Sequence, residues 1–335
     1  MLLTKNQNFR ALLTSLISFS LLVACSTVSA KKDSIYTDFI NEMVSEHQFD
    51  RDQLSHLLEG AKRQESILKA MSSPAEKRLQ WHSYRKIFLK PNRINGGIKF
   101  WQQNKALLEA AAKKYAVPEE IIVAIIGVET RYGGNTGSYR VLDALTTLGF
   151  HFPKRARFFK SELKHFLLLC REEGFDPSLP KGSYAGAMGK SQFISSSYRA
   201  YAVDGDGDNK RDLWGSNADI INSIAHYFAK HGWKNSPLIT QKTNVKGDTY
   251  TAAIYKPLKP KHTLEKLKAL SVNVPTNLAL DTPVKLLQLQ QKNGSEYWLT
   301  FDNFYVITRY NHSHLYAMAV YQLGQAIKKG YADTL

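Results

Sequence analysis

A single glutamate, Glu129, has the surroundings expected of a residue that transfers a proton. It ends a nearly continuous apolar run that begins at Ile121, and Thr-Arg-Tyr-Gly-Gly follows it. Burial penalises the ionised form of a carboxyl, so we expect the pKa of Glu129 to be raised. A carboxyl that stays protonated near neutral pH can donate to a leaving group. The sequence therefore predicts acid catalysis; the alternative is a helix-terminal glutamate paired with Arg131 or Lys154.

A segment of small residues, 183–193, is a second candidate part of the site. Its sequence is SYAGAMGKSQF, with alanine or glycine at positions 185, 186, 187 and 189. Small residues let the backbone approach a ligand closely, and Ser183 and Gln192 would supply donors and acceptors beside it. Tight helix packing explains the same composition equally well, so the segment alone is a weak signal.

A dense acidic stretch, DGDGDNKRD, occupies residues 204–212. Its carboxylates at relative positions 1, 3, 5 and 9 follow the ligand spacing of an EF-hand loop. Asn209 replaces the usual glycine and Gly215 the usual bidentate acid; asparagine tolerates the left-handed region, and Asp219 is the natural substitute acid. We predict structural Ca²⁺, with sodium or a solvated turn without metal as alternatives. The predicted ligands are Asp204, Asp206, Asp208, the Lys210 carbonyl, Asp212 and Asp219.

Other common catalytic patterns are missing from the sequence. His226 and His231 are five residues apart without a flanking glutamate, so no catalytic zinc is predicted. There is no Gly-x-Ser-x-Gly elbow and no phosphate-binding loop pattern. We therefore expect no organic cofactor.

The elements that must position these residues are mostly helices. Residues 34–116 carry apolar side chains at helical spacing, with a break expected at Pro91 and Gly96-Gly97. Pro118 suits the start of the helix that carries Glu129. Asn217 is predicted to cap a later helix. The further predicted helices are 141–148, 153–173, 195–202, 218–231 and 311–329.

The pattern changes at about residue 235. Residues 249–255 look like a strand, and Asn293-Gly294 predicts a hairpin between strands at 284–290 and 297–301. These signals indicate a small β-rich insertion over residues 236–303.

The N-terminus has the features of an export signal. Lys5 and Arg10 precede a short apolar stretch that is too brief for a typical transmembrane helix. Leu-Val-Ala-Cys at 22–25 resembles a lipobox that would lipidate Cys25, while Val-Ser-Ala at 28–30 suits ordinary signal peptidase and a soluble periplasmic product. Ser26 after the cysteine, where aspartate would favour the inner membrane, favours the outer membrane.

The 335-residue chain is strongly basic, with a net charge of +16 that falls to +14 when Lys5 and Arg10 are removed with residues 1–24. For an exported protein the expected acidic partner is an envelope polymer or phospholipid surface, and not nucleic acid. Basic side chains that are simply solvated remain the alternative. Of the two cysteines, Cys170 follows an apolar run, so we expect it to be buried and unreactive.

Three motifs taken together resemble the membrane-bound lytic murein transglycosylase B family. They are Glu-Thr-Arg-Tyr-Gly at 129–133, Gly-Ala-Met-Gly-Lys-Ser-Gln-Phe at 186–193 and Arg-Tyr-Asn-His-Ser at 309–313. They occur in the family's order with compatible spacing, and the resemblance covers about residues 39–326. It implies a mainly α fold with a lysozyme-like helical core. It also implies cleavage of the MurNAc–GlcNAc β-1,4 bond of peptidoglycan without water, leaving a 1,6-anhydro-MurNAc end.

The same resemblance assigns roles to individual residues. Glu129 would be the only catalytic acid and base, whereas ordinary glycosidases use two carboxylates. Lys154 replaces the first of two adjacent arginines that the family tends to have, which puts bidentate carboxylate binding there in doubt. Tyr227 and Tyr310 could instead be half-buried core residues, and Met188 and Phe193 fit core or cleft wall. The implied substrate-binding residues are Ser183, Gln192, Tyr227, Tyr310, Lys154, Arg155, Met188 and Phe193.

The predicted organisation follows from these assignments. A monomer is expected, with peptidoglycan strands, a membrane reached through Cys25 and other cell-wall enzymes as partners. The rival hypothesis is a non-catalytic peptidoglycan-binding scaffold. The predicted parts are a signal peptide at 1–24, a linker at 25–33, an N-terminal helical domain at 34–108, a catalytic core at 109–235 with the EF-hand-like loop at 204–219, the β-rich domain at 236–303 and a helical return at 304–335.

Overall fold

The computed structural model describes residues 34–72 and 79–335. Within them the chain is mainly α-helical, with one two-stranded and one four-stranded antiparallel sheet, which confirms the predicted fold class. The predicted signal peptide, Cys25 and both processing sites lie outside these residues. None of the described helices combines the length and apolarity that a membrane span requires.

Within residues 34–72 and 79–335, six helices precede the helix that carries Glu129. Asp50 caps the second of them by accepting from the Gln53 backbone N–H at 2.8 Å, and Pro91 opens the fifth. The helices are α1 (Thr37–His47), α2 (Arg51–Glu59), α3 (Glu65–Ser72), α4 (Trp81–Phe88), α5 (Pro91–Gln103) and α6 (Lys105–Tyr115).

The break predicted at Gly96-Gly97 is wrong, because both glycines lie inside α5. Their role is close packing. A Cβ at Gly97 would lie 2.5 Å from the Ile327 side chain and 2.6 Å from the Tyr132 hydroxyl. The glycines therefore let a helix and a loop approach α5, and they do not end it.

The central helix, α7 (Glu119–Thr130), is buried along nearly its whole length and contacts α5 and α6. Its apolar run leaves no polar face, as expected for a helix surrounded by others. Arg131 ends it in the left-handed conformation, with φ of 53°. The following elements are β1 (Tyr139–Arg140), α8 (Val141–His151), a 3₁₀ turn (Pro153–Arg155), α9 (Ala156–Glu173), β2 (Lys181–Gly182), α10 (Ser195–Tyr201) and α11 (Asn217–Lys230).

The cap predicted for α11 is off by one residue. Ser216 is the N-cap, and its hydroxyl accepts from the Asp219 backbone N–H at 3.2 Å. Asn217 is the first helical residue, and its side-chain oxygen accepts from Lys190 Nζ at 2.8 Å instead. The Asn217 side chain, which the local sequence suggested as the cap, is thus engaged in a tertiary hydrogen bond with Lys190.

The β-rich region contains a four-stranded sheet whose strands lie in the order β3 (Thr240–Thr243), β6 (Ser295–Thr300), β5 (Pro283–Gln290) and β4 (His262–Thr263). The predicted hairpin is confirmed, with Gly294 in its turn at φ of 77°. The strand predicted at 249–255 is wrong: Thr249–Ala253 is a 3₁₀ helix, in which the Thr251 hydroxyl donates to the Asp248 carbonyl at 2.7 Å. The elements are β3 (Thr240–Thr243), β4 (His262–Thr263), α12 (Leu264–Ala269), β5 (Pro283–Gln290) and β6 (Ser295–Thr300).

Two helices bring the chain back to the main core. They are α13 (Asp302–Tyr310) and α14 (His314–Ala332), and α14 packs against α7 and α5. Ser313 caps α14, so the predicted helix at 311–329 begins later than expected. A second, smaller apolar cluster lies inside the β-rich region and includes Leu286 and Leu299. This region therefore has a core of its own, while α14 completes the core around α7.

Candidate active site

Glu129 occupies the last turn of α7 and is half-buried. The Tyr316 hydroxyl on α14 donates to Glu129 Oε1 at 2.5 Å. The two residues are 187 positions apart in the chain and meet because α14 packs along α7. The carboxyl is therefore held by a neutral donor at the end of a buried helix.

Tyr316 is a residue that the sequence analysis missed. It is 3% exposed, and its ring stacks with that of Tyr310 at a centroid distance of 6.5 Å and an interplanar angle of 9°. Burial, and then the negative charge of Glu129, raise the pKa of both tyrosines well above the ordinary range. Tyr316 therefore keeps its proton and remains a donor. Its position among apolar residues of an amphipathic helix offered no sequence signal to separate it from the core.

Tyr227 and Tyr310, both predicted to line the cleft, lie together. Their ring centroids are 4.9 Å apart. The Tyr310 hydroxyl donates to the Ser191 carbonyl and the Tyr227 hydroxyl to the Arg309 carbonyl, each at 2.6 Å. Burial raises the pKa of Tyr227, and only 7% of its surface is exposed. Each ring is thus fixed by a backbone acceptor.

An open cavity of about 670 Å³ runs past these tyrosines. Tyr310 connects it to the Glu129 carboxyl through its stack on Tyr316. Several predicted substrate-binding residues share this lining, whereas Ser183, Met188 and Lys154 do not. The lining residues are Arg155, Phe158, His165, Gln192, Phe193, Ile194, Ser196, Ser197, Ala200, Tyr201, Tyr227, His231, Arg309, Tyr310 and His312.

The segment of small residues is held in one shape by its own polar side chains. Gln192 has a φ of 53°, and its Nε2 donates to the Gly189 carbonyl at 2.9 Å and to the Thr136 carbonyl at 3.1 Å. The Ser183 hydroxyl accepts from the Ala187 N–H at 3.0 Å. Both side chains therefore order the segment, and Gln192 also faces the cavity.

The packing explanation of the small residues is correct at two glycines. A Cβ at Gly189, where φ is 68°, would lie 2.4 Å from the Leu213 carbonyl oxygen, and one at Gly186 would lie 2.6 Å from the Leu145 side chain. The segment is also tied to the end of α7, because the Thr130 hydroxyl donates to the Lys190 carbonyl at 3.0 Å. Close packing thus fixes the segment beside Glu129.

Met188 belongs to the core and does not form the cleft wall. Its side chain has 0% exposure, and its backbone pairs with that of Phe193 through bonds of 2.8 and 3.1 Å. A glycan cannot reach it without rearrangement of the segment. Phe193 is 2% exposed but lines the cavity, so it forms part of the cavity floor.

Lys154 and Arg155 lie on the surface in the 3₁₀ turn before α9. The Arg155 guanidinium lies 4.2 Å from the centroid of the Phe158 ring. Both basic residues line a second, open cavity of about 510 Å³, which shares Arg155 and Phe158 with the larger one. They are therefore placed to meet acidic groups at one end of the cleft.

The acidic loop brings three of its predicted ligands together. Oxygens of Asp204, Asp206 and Asp219 all lie within 4.8 Å of one another. Asp219 is 1% exposed, and burial raises its pKa. Its oxygens accept from the Gly205 N–H at 2.7 Å and the Asp212 N–H at 2.6 Å. A buried carboxylate facing two others is an arrangement that a hard cation with oxygen ligands fits.

The other predicted ligands lie outside this group of three. Asp208 accepts from the Lys210 N–H at 2.8 Å, and Asp212 Oδ1 accepts from the N–H groups of Trp214 and Gly215 at 2.8 and 2.9 Å. These carboxylates shape the turns of the loop. Asn209 has a φ of 67°, which confirms the left-handed conformation predicted for it.

Comparison with known proteins gives consistent matches. The family described as "Transglycosylase SLT domain" matches residues 31–325. The membrane-bound lytic murein transglycosylase B of Escherichia coli K12 is 43% identical over 298 residues, which are 86% of this chain and 81% of that protein.

Two solved structures are similar over most of the chain. The catenated lytic transglycosylase SltB1 of Pseudomonas aeruginosa has a TM-score of 0.85 and 45% identity, covering 89% of this chain and 98% of that one. The Escherichia coli lytic transglycosylase Slt35 in complex with calcium has a TM-score of 0.83 and 42% identity, covering 90% and 95%.

Proposed function

Because the chain belongs to the transglycosylase SLT domain family and is a lytic murein transglycosylase, we propose that Glu129 is its catalytic acid and base. The proposed reaction cleaves the MurNAc–GlcNAc β-1,4 bond and leaves a 1,6-anhydro-MurNAc end. The observation that carries the proposal is the hydrogen bond from Tyr316 to Glu129 beside the large cavity.

In the first step, Glu129 would protonate the glycosidic oxygen as the bond from that oxygen to C1 of MurNAc breaks. The oxygen leaves as a neutral hydroxyl on the departing sugar, and positive charge develops at C1. Tyr316 orients the carboxyl by donating to Oε1, which favours one direction of proton transfer. General acid catalysis of this kind is worth about 10²–10⁴-fold in rate.

In the second step, the Glu129 carboxylate would take the proton from the C6 hydroxyl of the same MurNAc. That oxygen bonds to C1 and closes the anhydro ring, so the glutamate ends with the proton it began with and no water is consumed. Tyr227, Tyr310, Phe193 and Gln192 are proposed to hold the sugars, since aromatic rings present apolar faces to sugar rings. Ser183 is proposed to act through the shape of the segment.

The test is analysis of products by mass spectrometry after the purified protein is incubated with sacculi. Release of anhydro-muropeptides supports the proposal. Products with reducing ends would show a hydrolase, and intact sacculi that bind the protein tightly would favour the non-catalytic scaffold. Either of those results would overturn the mechanism.

We also propose that the acidic loop binds calcium with a structural role. The three converging carboxylates support this, as does the relative of known structure solved with calcium. Asp204, Asp206 and Asp219 would hold the ion, which when bound supplies positive charge that joins carboxylates otherwise repelling one another. The loop leads directly into α11, the helix that carries Tyr227. A bound ion that orders the loop would therefore also help to position Tyr227 in the cavity lining.

A lipid anchor at Cys25 is a further proposal. The lipobox-like sequence at 22–25 supports it, and the Escherichia coli relative is named membrane-bound. Acyl chains stabilise anchoring by about 0.8 kcal/mol for each buried CH₂. Labelled palmitate should enter the full chain and not its Cys25→Ala variant, with the label in the outer membrane. Cleavage after Ala30 with no label would show a soluble periplasmic protein instead.

A further inference from the structure

A separate cavity of about 270 Å³ lies at the C-terminal end of α7. Its polar lining consists of Lys90, Asn92, Arg93, Arg131 and Tyr132, and no acidic residue of the described chain lines it. Three positive charges around one cavity repel each other unless an anion joins them. We call this space the cationic cavity, after Lys90, Arg93 and Arg131.

Arg93 is the buried basic residue of the cationic cavity. Only 8% of its surface is exposed, and Nη1 donates to the Gly127 carbonyl at 2.9 Å and to the Val128 carbonyl at 3.4 Å. It thereby caps the carbonyl end of α7. Within residues 34–72 and 79–335, no acceptor serves its Nε or Nη2, although a guanidinium carries five donors. These donors remain for a ligand in the cavity that Arg93 lines.

The charges of the cationic cavity are close enough to affect each other. Burial lowers the pKa of Arg93, and the nearby charge of Arg131 lowers it further. An anion placed between the two guanidinium groups would relieve this repulsion. Arginine suits a carboxylate in particular, because its planar fork matches the two oxygens.

Two residues that line the cationic cavity, Arg131 and Tyr132, have a strained backbone. Arg131 and Tyr132 both adopt left-handed conformations, with φ of 53° and 62°, directly after the helix that carries Glu129. Left-handed conformations are unfavourable for residues other than glycine and are concentrated at functional sites. The Tyr132 hydroxyl donates to the Arg93 carbonyl at 2.9 Å, which locks the loop against α5.

We propose that the cationic cavity binds a carboxylate of the peptide that peptidoglycan carries on its sugar strand. The inference rests on the proposed function, which makes a peptide-bearing glycan the substrate. Arg131 follows Glu129 by two residues, so a carboxylate bound there would hold the substrate at the same end of α7 that carries the acid. The cavity lining has no residue in common with that of the large cavity or of the Lys154-Arg155 cavity.

The test combines a substrate without peptide carboxylates with a variant whose cationic cavity has lost two of its three positive charges. One glycan substrate keeps its peptide carboxylates, and in the other a carbodiimide and ammonia convert them to amides. The variant is Lys90→Gln with Arg131→Gln, both exposed positions, while Arg93 stays because it caps α7. On the native glycan the variant should lose about 10-fold in kcat/KM, the size expected for charged hydrogen bonds.

The two changes should not add. Amidation of the substrate should lower kcat/KM much less in the variant than in the wild type. The variant has already lost the positive charges of Lys90 and Arg131, which would interact with the peptide carboxylate. Equal responses to amidation in both proteins, or an unchanged variant on native glycan, would overturn the proposal. A wild type that cleaves neither substrate would instead overturn the proposed function.

Two controls complete the design. Lys86→Gln removes one positive charge from an exposed position on α4, four residues before Lys90 in the chain and outside the cavity lining, so it should behave as the wild type. The variants should also melt at the wild-type temperature. Inorganic phosphate, followed by NMR of the arginine side chains, tests for a free anion: phosphate at Arg131 together with equal amidation responses would mean that the cavity holds small ions and not the substrate.

Discussion

The structure places carboxyl groups in two contrasting settings. Glu129 stands at the end of a buried apolar helix and receives the phenol hydroxyl of Tyr316. Asp204 and Asp206 of the acidic loop crowd together with Asp219 of the first turn of α11; Asp206 is exposed and Asp219 is buried. The first setting offers one proton site with a neutral donor, and the second offers several negative charges at short range.

The difference shows how surroundings separate two uses of the same functional group. A neutral phenol hydroxyl orients a carboxyl without placing a permanent positive charge beside it. The carboxyl can therefore gain and lose a proton during a reaction. Carboxylates that converge within 4.8 Å repel one another, and a cation satisfies them better than protons do. We therefore expect the first site to control rate and the second to control stability.

The largest effect should come from Glu129→Gln. Glutamine keeps the size of the side chain and an acceptor for Tyr316 but cannot transfer the proton, so activity on sacculi should fall by about 10²–10⁴-fold. The melting temperature and binding to sacculi should stay near those of the wild type. If the variant retained most of its activity, Glu129 would be only a structural carboxyl, and the proposed difference between it and the aspartates of the acidic loop would be wrong.

Tyr316→Phe should have the next largest effect. Loss of a hydrogen bond to a charged group such as the Glu129 carboxylate typically costs about 1.5–3 kcal/mol, so kcat should fall by about 10- to 100-fold. Tyr321→Phe, on the same helix with its hydroxyl 3.4 Å from the Thr240 carbonyl, is the matched control and should keep wild-type activity. Equal losses in both variants would point to general damage to α14.

Calcium should act on stability and depend on Asp219. At 100 times its dissociation constant, calcium should raise the free energy of unfolding by about 2.7 kcal/mol, seen as a melting temperature higher by several degrees. Asp219→Asn should abolish this shift. Asp212→Asn should keep it, because the asparagine oxygen can still accept from Trp214 and Gly215. Loss of the shift in both variants would support the full EF-hand ligand set instead.

The smallest effect concerns tyrosine ionisation. Burial and then the negative charge of Glu129 raise the pKa of Tyr310 and Tyr316, so Glu129→Gln should make both ionise at lower pH than in the wild type. Carbon-13 NMR of labelled tyrosine rings in an alkaline pH series can follow this. Glu120→Gln should shift Tyr321 and leave the other two unchanged. No shift in Glu129→Gln would show that the carboxyl and phenols are not coupled.

Local sequence patterns predicted the elements that need only near neighbours. The apolar run before Glu129, the Asn293-Gly294 hairpin and the left-handed Asn209 depend on residues a few positions away, and the structure has all of them. Where a local pattern allowed two outcomes, tertiary contacts decided. Gly96 and Gly97 lie inside α5 and do not break it, because the side chains of Tyr132 and Ile327 pack closely against them.

Within the candidate site, the residue types were readable from the sequence and their neighbours were not. Glu129, Gln192 and the acidic loop belong to short motifs with recognisable chemistry. Tyr316 has no such motif, because a tyrosine among apolar residues of a helix looks like any core residue. Only the packing of α14 on α7 brings its hydroxyl to the carboxyl across 187 positions.

The sequence by itself determined which groups are available for chemistry: one acid at the end of an apolar helix, a segment of small residues and a set of aspartates. The tertiary structure decided which of them meet. It buried Met188, selected three of the aspartates and gathered Lys90, Arg93 and Arg131 around one cavity. The physical reason is that backbone propensity and side-chain chemistry are local properties, whereas burial, distance and electrostatic coupling depend on segments that come together only when the chain packs.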